Sequence, residues 1–254
     1  EIRLSLVGSE MCIRDRSAVL LQNAPIWSGL IRVPELSIAL MDEWESKIEM
    51  LAQSTIQEPV TSIAGVPTWT LVLLKRILEI TGKQTIKEVW PDFELYIHGG
   101  VSFTPYREQF KKIIGGDCNY IEIYNASEGF FAAQDRLDEE GMLLFLDHGI
   151  FYEFMPIEEY GKENPKTIGL DKVELGKNYA IIISTNGGLW RYLVGDTVQF
   201  VTLEPYRIKV SGRLKQYINA FGEEVIADNS DKAISEACAS FKVCLLYTSP
   251  SPRD

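Results

Sequence analysis

Residues Tyr120–Gly129 read Tyr-Ile-Glu-Ile-Tyr-Asn-Ala-Ser-Glu-Gly, so a ring (Tyr124), a hydroxyl (Ser127), a carboxylate (Glu128) and a glycine gather at the end of one stretch. Ile121 and Ile123 alternate with Tyr120, Glu122 and Tyr124, a period of two that predicts a strand. Open α/β sheets take ligands at the carboxyl ends of their strands, which makes this strand end a candidate ligand site. A surface turn after a buried strand is the plainer alternative. Paired-carboxylate hydrolysis by Glu122 and Glu128 is a weak reading, because two carboxylates on one strand have no constrained separation across a substrate. The chain holds two histidines, His98 and His148, which excludes a His-rich metal cluster.

The elements that must position these groups can be read from pattern. Ser37–Gln53 is expected to be an amphipathic helix, with Ile38, Met41, Ile48 and Leu51 on one face. Thr61–Pro67 reads as a loop around Gly65. Pro67 suits the first turn of a helix reaching Thr81, Gly82 ends it, and Trp69, Leu73, Ile77 and Ile80 form its core stripe. Phe93–His98 alternates as a strand and runs into Gly99-Gly100. Thr104 is expected to cap a helix that has Pro105 at its first position and ends at Gly115. Strand, glycine turn, helix and strand suggest a parallel crossover, which would bring Gly99–Ser102 and Tyr124–Gly129 to one sheet edge.

Beyond the acidic turn Asp138–Gly141 the pattern changes to short strands. These are Met142–Leu146, Ile150–Met155, Tyr179–Thr185, Leu189–Val194, Thr197–Leu203 and Tyr206–Val210, a bent antiparallel sheet or barrel. Gly161–Asp171 is a polar loop, and Asn186-Gly187-Gly188 is a hairpin signal. A short strand, Tyr217–Asn219, and a helix, Asn229–Ala239, follow.

The termini read differently from the rest. Leu6–Asp15 and Leu245–Arg253 can be encoded by the two strands of one DNA sequence, for which two ends of a natural protein have no reason. Both resemble a translated sequencing-library adapter of the transposase type. Residues 1–16 and 244–254 are therefore expected to be non-native and are set aside, leaving an internal fragment. The adapter-like ends carry four basic and four acidic residues, so the net charge of −11 is unchanged. Cys118 and Cys238 remain. Without CxxC spacing they make no disulfide framework or zinc site, and they fit a reducing, cytoplasmic setting. An acidic chain without a Lys/Arg run argues against nucleic-acid and anionic-membrane surfaces. The apolar run Trp69–Leu74 is too short to span a bilayer.

Three polar motifs occur in order: Tyr-Asn-Ala-Ser-Glu-Gly at 124–129, Arg-Tyr-Leu-Val-Gly-Asp at 191–196, and Gly-Arg-Leu-Lys at 212–215. The series Tyr-x-x-Ser/Thr-Glu, Tyr-(Arg)-x-Gly-Asp and Gly-Arg is similar to that of adenylate-forming enzymes. With the text around Trp27–Leu36, Ile97–Phe110, Leu189–Val198 and Ser211–Ile226, the chain resembles the bacterial branch of the auxin-responsive promoter family of acyl acid amido synthetases. The resemblance covers essentially all of residues 17–243.

That resemblance implies an α/β, luciferase-like adenylate-forming large domain, a parallel α/β sheet plus a bent antiparallel sheet or barrel, over 17–211. It implies a hinge at 212–216 that includes Lys215, and the start of a small α+β C-terminal domain over 217–243. It also implies ATP and Mg²⁺, a small carboxylic acid, and an amine, in particular an amino acid, as acceptor. Tyr124 would stack on adenine, with Gly99, Gly100 and Val101 as the opposing wall. Ser127 would touch the α-phosphate, Glu128 would ligate Mg²⁺, and Asp196 would accept from the ribose hydroxyls. Arg213 would contact ribose or phosphate. Leu193 stands where plant relatives carry a second Arg. Plainer readings remain beside these: Tyr124 as core, Asp196 as a turn residue after Gly195, Arg213 as a surface ion pair. Two rival functions remain as well. One is a ligase of the same fold that passes the acyl group to coenzyme A. The other is a non-catalytic binder of small acids or nucleotides. A Ser/Thr/Gly phosphate loop is expected upstream of this chain, and the fragment alone is expected to be inactive.

Overall fold

The structure, a computed structural model, describes residues 4–7, 23–41, 43–214, 218–220 and 223–225. They form two compact units, one running to Ile121 and the other beginning at Glu122.

The first unit layers helices on parallel strands. Strand β1 (Leu4–Val7), inside the stretch set aside as adapter-like, pairs in parallel with β2. The helix expected over Ser37–Gln53 is two, α1 (Leu36–Ala39) and α2 (Trp44–Thr55). Glu43 between them is extended, and its carboxylate accepts from the N–H groups of Glu45 and Ser46 at 3.0 and 2.6 Å. An acidic cap of this kind starts a new helix, so the run is broken there. Ile48 and Leu51 are buried as expected.

The stretch read as a loop contains β2 (Ser62–Gly65), which pairs in parallel with β3 (Leu95–Gly99). Ser62 and Ile63 are fully covered, and burial decided a segment too short to show a period. Helix α3 (Pro67–Thr81) has the predicted bounds, and Gly82 closes it in the left-handed region at φ 66°. Its stripe is shifted. Leu71, Leu73, Leu74 and Ile77 are buried, whereas Ile80 is exposed and Trp69 packs half-buried on Trp44. A short α4 (Ile86–Val89) precedes β3, and α5 (Arg107–Ile114) follows it. Thr104 does not cap: Thr104–Tyr106 is a 3-10 turn leading into α5, with no side-chain cap bond. Tyr96 ties these layers together. Its hydroxyl donates to the Gly65 carbonyl at 2.8 Å, and its ring stacks on Phe110 at 4.5 Å.

Strand β4 (Asn119–Ala126) leads into the second unit, an antiparallel sheet. It is built from β5 (Gly129–Ala133), β6 (Met142–Leu144), β7 (Ile150–Pro156), β8 (Asn178–Thr185), β9 (Tyr192–Leu203) and β10 (Tyr206–Arg213). The order is β4-β5-β6-β10-β9-β8-β7. The two strands expected over Leu189–Val194 and Thr197–Leu203 are the single β9, and β5 was not foreseen. Strand β8 is covered on both faces. Tyr179, Ile181 and Ile183 join the main aromatic core, and Ala180 and Ile182 pack with Met155, Ile157 and Leu214. A last hairpin pairs β11 (Ile218–Ala220) with β12 (Glu223–Val225). Lys215, Cys238 and the helix expected over Asn229–Ala239 lie outside the described residues. Among the described residues no helix is long and apolar enough to cross a membrane.

Candidate functional site

Strands β4, β9 and β10 bring Tyr124, Asp196 and Arg213 together. The register sets Asp196 opposite Arg213, next to a bulge at Val210/Gly212. Gly195, at φ 89°, turns the backbone just before the acid. A fully buried hydroxyl pair fastens the two strands beside this register, with Ser211 donating to Thr197 Oγ1 at 3.0 Å. The Tyr124 hydroxyl donates to Asp196 Oδ2 at 3.0 Å, and Arg213 Nε lies 3.2 Å from Oδ1. The Arg213 side chain is 69% exposed and that of Asp196 15%, so the carboxylate sits between a buried donor and an open cation. Burial raises the Asp196 pKa, the Tyr124 bond and the Arg213 charge lower it, and the Glu128 charge raises it again.

Tyr124 is 6% exposed and meets Phe131 edge-on at 5.0 Å. Burial first, and then Asp196, push its phenol far above the ordinary range, so it is a donor at any working pH. The plain readings of Tyr124 as core and of Arg213 as an ion pair therefore describe the free chain, in the same cluster that holds Asp196.

Ser127 and Glu128 form the tight turn between β4 and β5, with Ala126 opposite Gly129. Ser127 is exposed and Glu128 half-buried. A Cβ on Gly129 would come within 2.9 Å of Ile150 Cδ1, so glycine lets this turn lie close to β7. Glu128 also faces Tyr192. Its charge, and then a hydrogen bond, raise the Tyr192 phenol pKa. Tyr192 was missed at the sequence level, although it is the tyrosine of the Tyr-Leu-Val-Gly-Asp motif. Arg191 was passed over too. It adopts φ 45°, rare for a residue with a side chain, and its guanidinium grips Glu153 at 2.9 and 3.0 Å and Thr167 at 3.1 Å.

Gly99, Gly100 and Val101 belong to the first unit, at the end of β3. Gly100 is left-handed at φ 82°, so the turn itself requires glycine there. Val101 is exposed. His98, just before them, is buried and stacked on Phe103 at 4.2 Å. Burial, helped by the Arg107 charge, brings its pKa down to about 3, so it is neutral. Among the described residues no three His, Cys, Asp or Glu side chains form a metal-binding group.

Comparison with known proteins matches residues 5–118 to the GH3 family N-terminal domain and residues 143–213 to the GH3 family central domain. The indole-3-acetic acid-amido synthetase GH3.3 of Arabidopsis thaliana is 25% identical over 203 residues, covering 72% of this chain and 33% of that protein. The jasmonoyl-L-amino acid synthetase JAR4 of Nicotiana attenuata is 30% identical over 120 residues, covering 45% of this chain and 21% of that protein. The chain thus spans a third or less of the length of these relatives. Among solved structures, the GH3.15 acyl acid amido synthetase superposes with a TM-score of 0.68 at 15% identity, over 84% of this chain and 48% of that one. A 2-hydroxyisobutyryl-CoA ligase superposes at 0.65 and 14% identity, over 92% and 49%. The fold is that of the adenylate-forming ligases. With its N-terminal and central domains both matched, the chain belongs to the GH3 family.

Proposed function

We propose that this chain is part of an ATP-dependent acyl acid amido synthetase. The observation that carries the reading is the half-buried Asp196 carboxylate, with one oxygen on Tyr124 and the other on Arg213. Membership of a family whose relatives are named for joining acids to amino acids supports it. The reaction has two halves. A small carboxylate attacks the α-phosphate of ATP, giving an acyl-adenylate and pyrophosphate. An amine, an amino acid in this reading, then displaces AMP and forms the amide. Free carboxylate resists amines because its charge repels them and oxide leaves poorly; AMP as leaving group removes both obstacles.

Within that reaction Asp196 accepts from the ribose hydroxyls, and Arg213 adds a charge-assisted contact to ribose or phosphate. Tyr124 offers the adenine a ring. Stacking on Tyr124 requires one of its faces to be uncovered, since the side chain is 6% exposed in the free chain. Ser127, exposed on its turn, donates to the α-phosphate. Glu128, half-buried on the same turn, would ligate a Mg²⁺ ion carried by the nucleotide, an ion that binds through one or two carboxylates beside phosphate and water. When bound, that ion offsets charge on the phosphates.

The test is acid-dependent ATP–pyrophosphate exchange by the full-length protein. Exchange with a small carboxylic acid is expected; its absence across a broad acid panel would leave a non-catalytic binder. The likeness to a CoA ligase supports a second reading, thioester formation after the same adenylation. Product mass after offering amino acids against coenzyme A separates amide from thioester. A cytoplasmic setting is the reading that suits the soluble substrates and the free Cys118.

A further inference from the structure

Tyr124 is buried in the core of the second unit, but its hydroxyl is directed to a functional acid rather than to backbone. It donates to Asp196 Oδ2 at 3.0 Å, while Arg213 Nε takes Oδ1 at 3.2 Å. An ionised carboxylate has about four lone-pair directions, so two remain for a ligand. The two partners differ in stiffness. Arg213 is a long, largely exposed side chain whose ion pair is weakened by solvent and salt. Tyr124 is locked by burial and by the edge of Phe131.

We propose that the Tyr124 hydroxyl is a positioning group, which fixes the Asp196 carboxylate so that it accepts a ribose diol and favours ribonucleotides over deoxy forms. This rests on the reading of Asp196 as the ribose acceptor. The ring and the hydroxyl of Tyr124 then have separate tasks, and removing the hydroxyl alone isolates the second. The groups that act on Asp196 are Tyr124 from β4, Glu128 from the β4–β5 turn and Arg213 from β10. Tyr124 lowers the Asp196 pKa by donating to its ionised form. Losing that donor moves the acid limb of nucleotide binding to higher pH, because binding is lost as Asp196 protonates.

The experiment measures affinity for AMP and for its 2′,3′-dideoxy form, by calorimetry across pH, on the full-length protein, Tyr124→Phe and Asp196→Ala. Wild type should prefer AMP by about tenfold or more. Tyr124→Phe should lose about fivefold of that preference and shift its acid limb upward, and Asp196→Ala should lose the preference altogether. Replacing Tyr124 by 3-fluorotyrosine, a stronger donor of nearly the same shape, should shift the limb downward and keeps the test open if the phenylalanine variant does not fold. An unchanged preference and limb in the Tyr124 variants would overturn the positioning role. A wild type that binds both nucleotides equally would instead remove the ribose role of Asp196, and one that binds neither would remove the nucleotide site.

Discussion

Two aspartates of the second unit carry opposite perturbations, and each makes a measurable statement. Asp196 has its pKa raised, chiefly by burial. Its ionised form is therefore disfavoured by burial, and donors from a ligand would offset that cost. Asp196→Ala should weaken ATP binding by about tenfold or more, which calorimetry checks. Asp135 is the reverse. Arg207, 4% exposed, donates to it at 3.0 and 2.8 Å and holds its carboxyl below the ordinary value. The folded pKa lies below the unfolded one. The stabilisation is therefore complete above about pH 4 and is lost as pH falls towards the depressed value. Arg207→Met should lower the neutral-pH Tm by about 5–10 °C and flatten the acid decline that wild type shows. The Asp196 cluster was legible in sequence because its members sit in ordered motifs. The Asp135–Arg207 pair was not, since it joins residues 72 apart with no local signal.

At the scale of elements, punctuation was the reliable text. Gly82 and Gly115 were both read as helix ends, and both are left-handed caps, at φ 66° and 75°. Their surroundings differ. A Cβ at Gly82 meets nothing within 4 Å, whereas at Gly115 it would lie 2.2 Å from Thr85 Cγ2 and 2.4 Å from Thr85 Cβ. Gly82→Ala should thus cost about 1 kcal/mol, the backbone term alone, and Gly115→Ala about 2–3 kcal/mol. Equal costs in denaturant melts would show that the Thr85 wall yields freely. Elements without such marks were misread. The loop that is β2 is four residues long, too short for periodicity to separate strand from turn. The break between α1 and α2 depends on Glu43 turning its carboxylate onto its own backbone, which competes with helix and leaves the apolar spacing unaltered. Leu189–Thr197 gave two strand signals because Gly195 interrupts them, yet β9 runs through that glycine.

For the whole molecule, nucleotide binding and turnover can be told apart. The chain covers 33% of the Arabidopsis relative and 21% of the Nicotiana one. Adenylation needs more than an adenosine site. Groups must hold the pyrophosphate as it leaves and orient the attacking acid, and catalysis by positioning is lost when part of the constellation is missing. Binding is less demanding, because the Tyr124–Asp196–Arg213 cluster lies wholly within the second unit and draws on three of its own strands. Binding and turnover should therefore separate. This chain by itself should show no acid-dependent ATP–pyrophosphate exchange, and the full-length protein should show it under the same conditions. Any AMP binding that the chain retains should be weakened about tenfold or more by Asp196→Ala. Exchange by the chain alone would mean that its own 254 residues suffice for the chemistry. The pyrophosphate and acyl contacts would then have to be found within the chain, at residues for which neither motif nor geometry now argues.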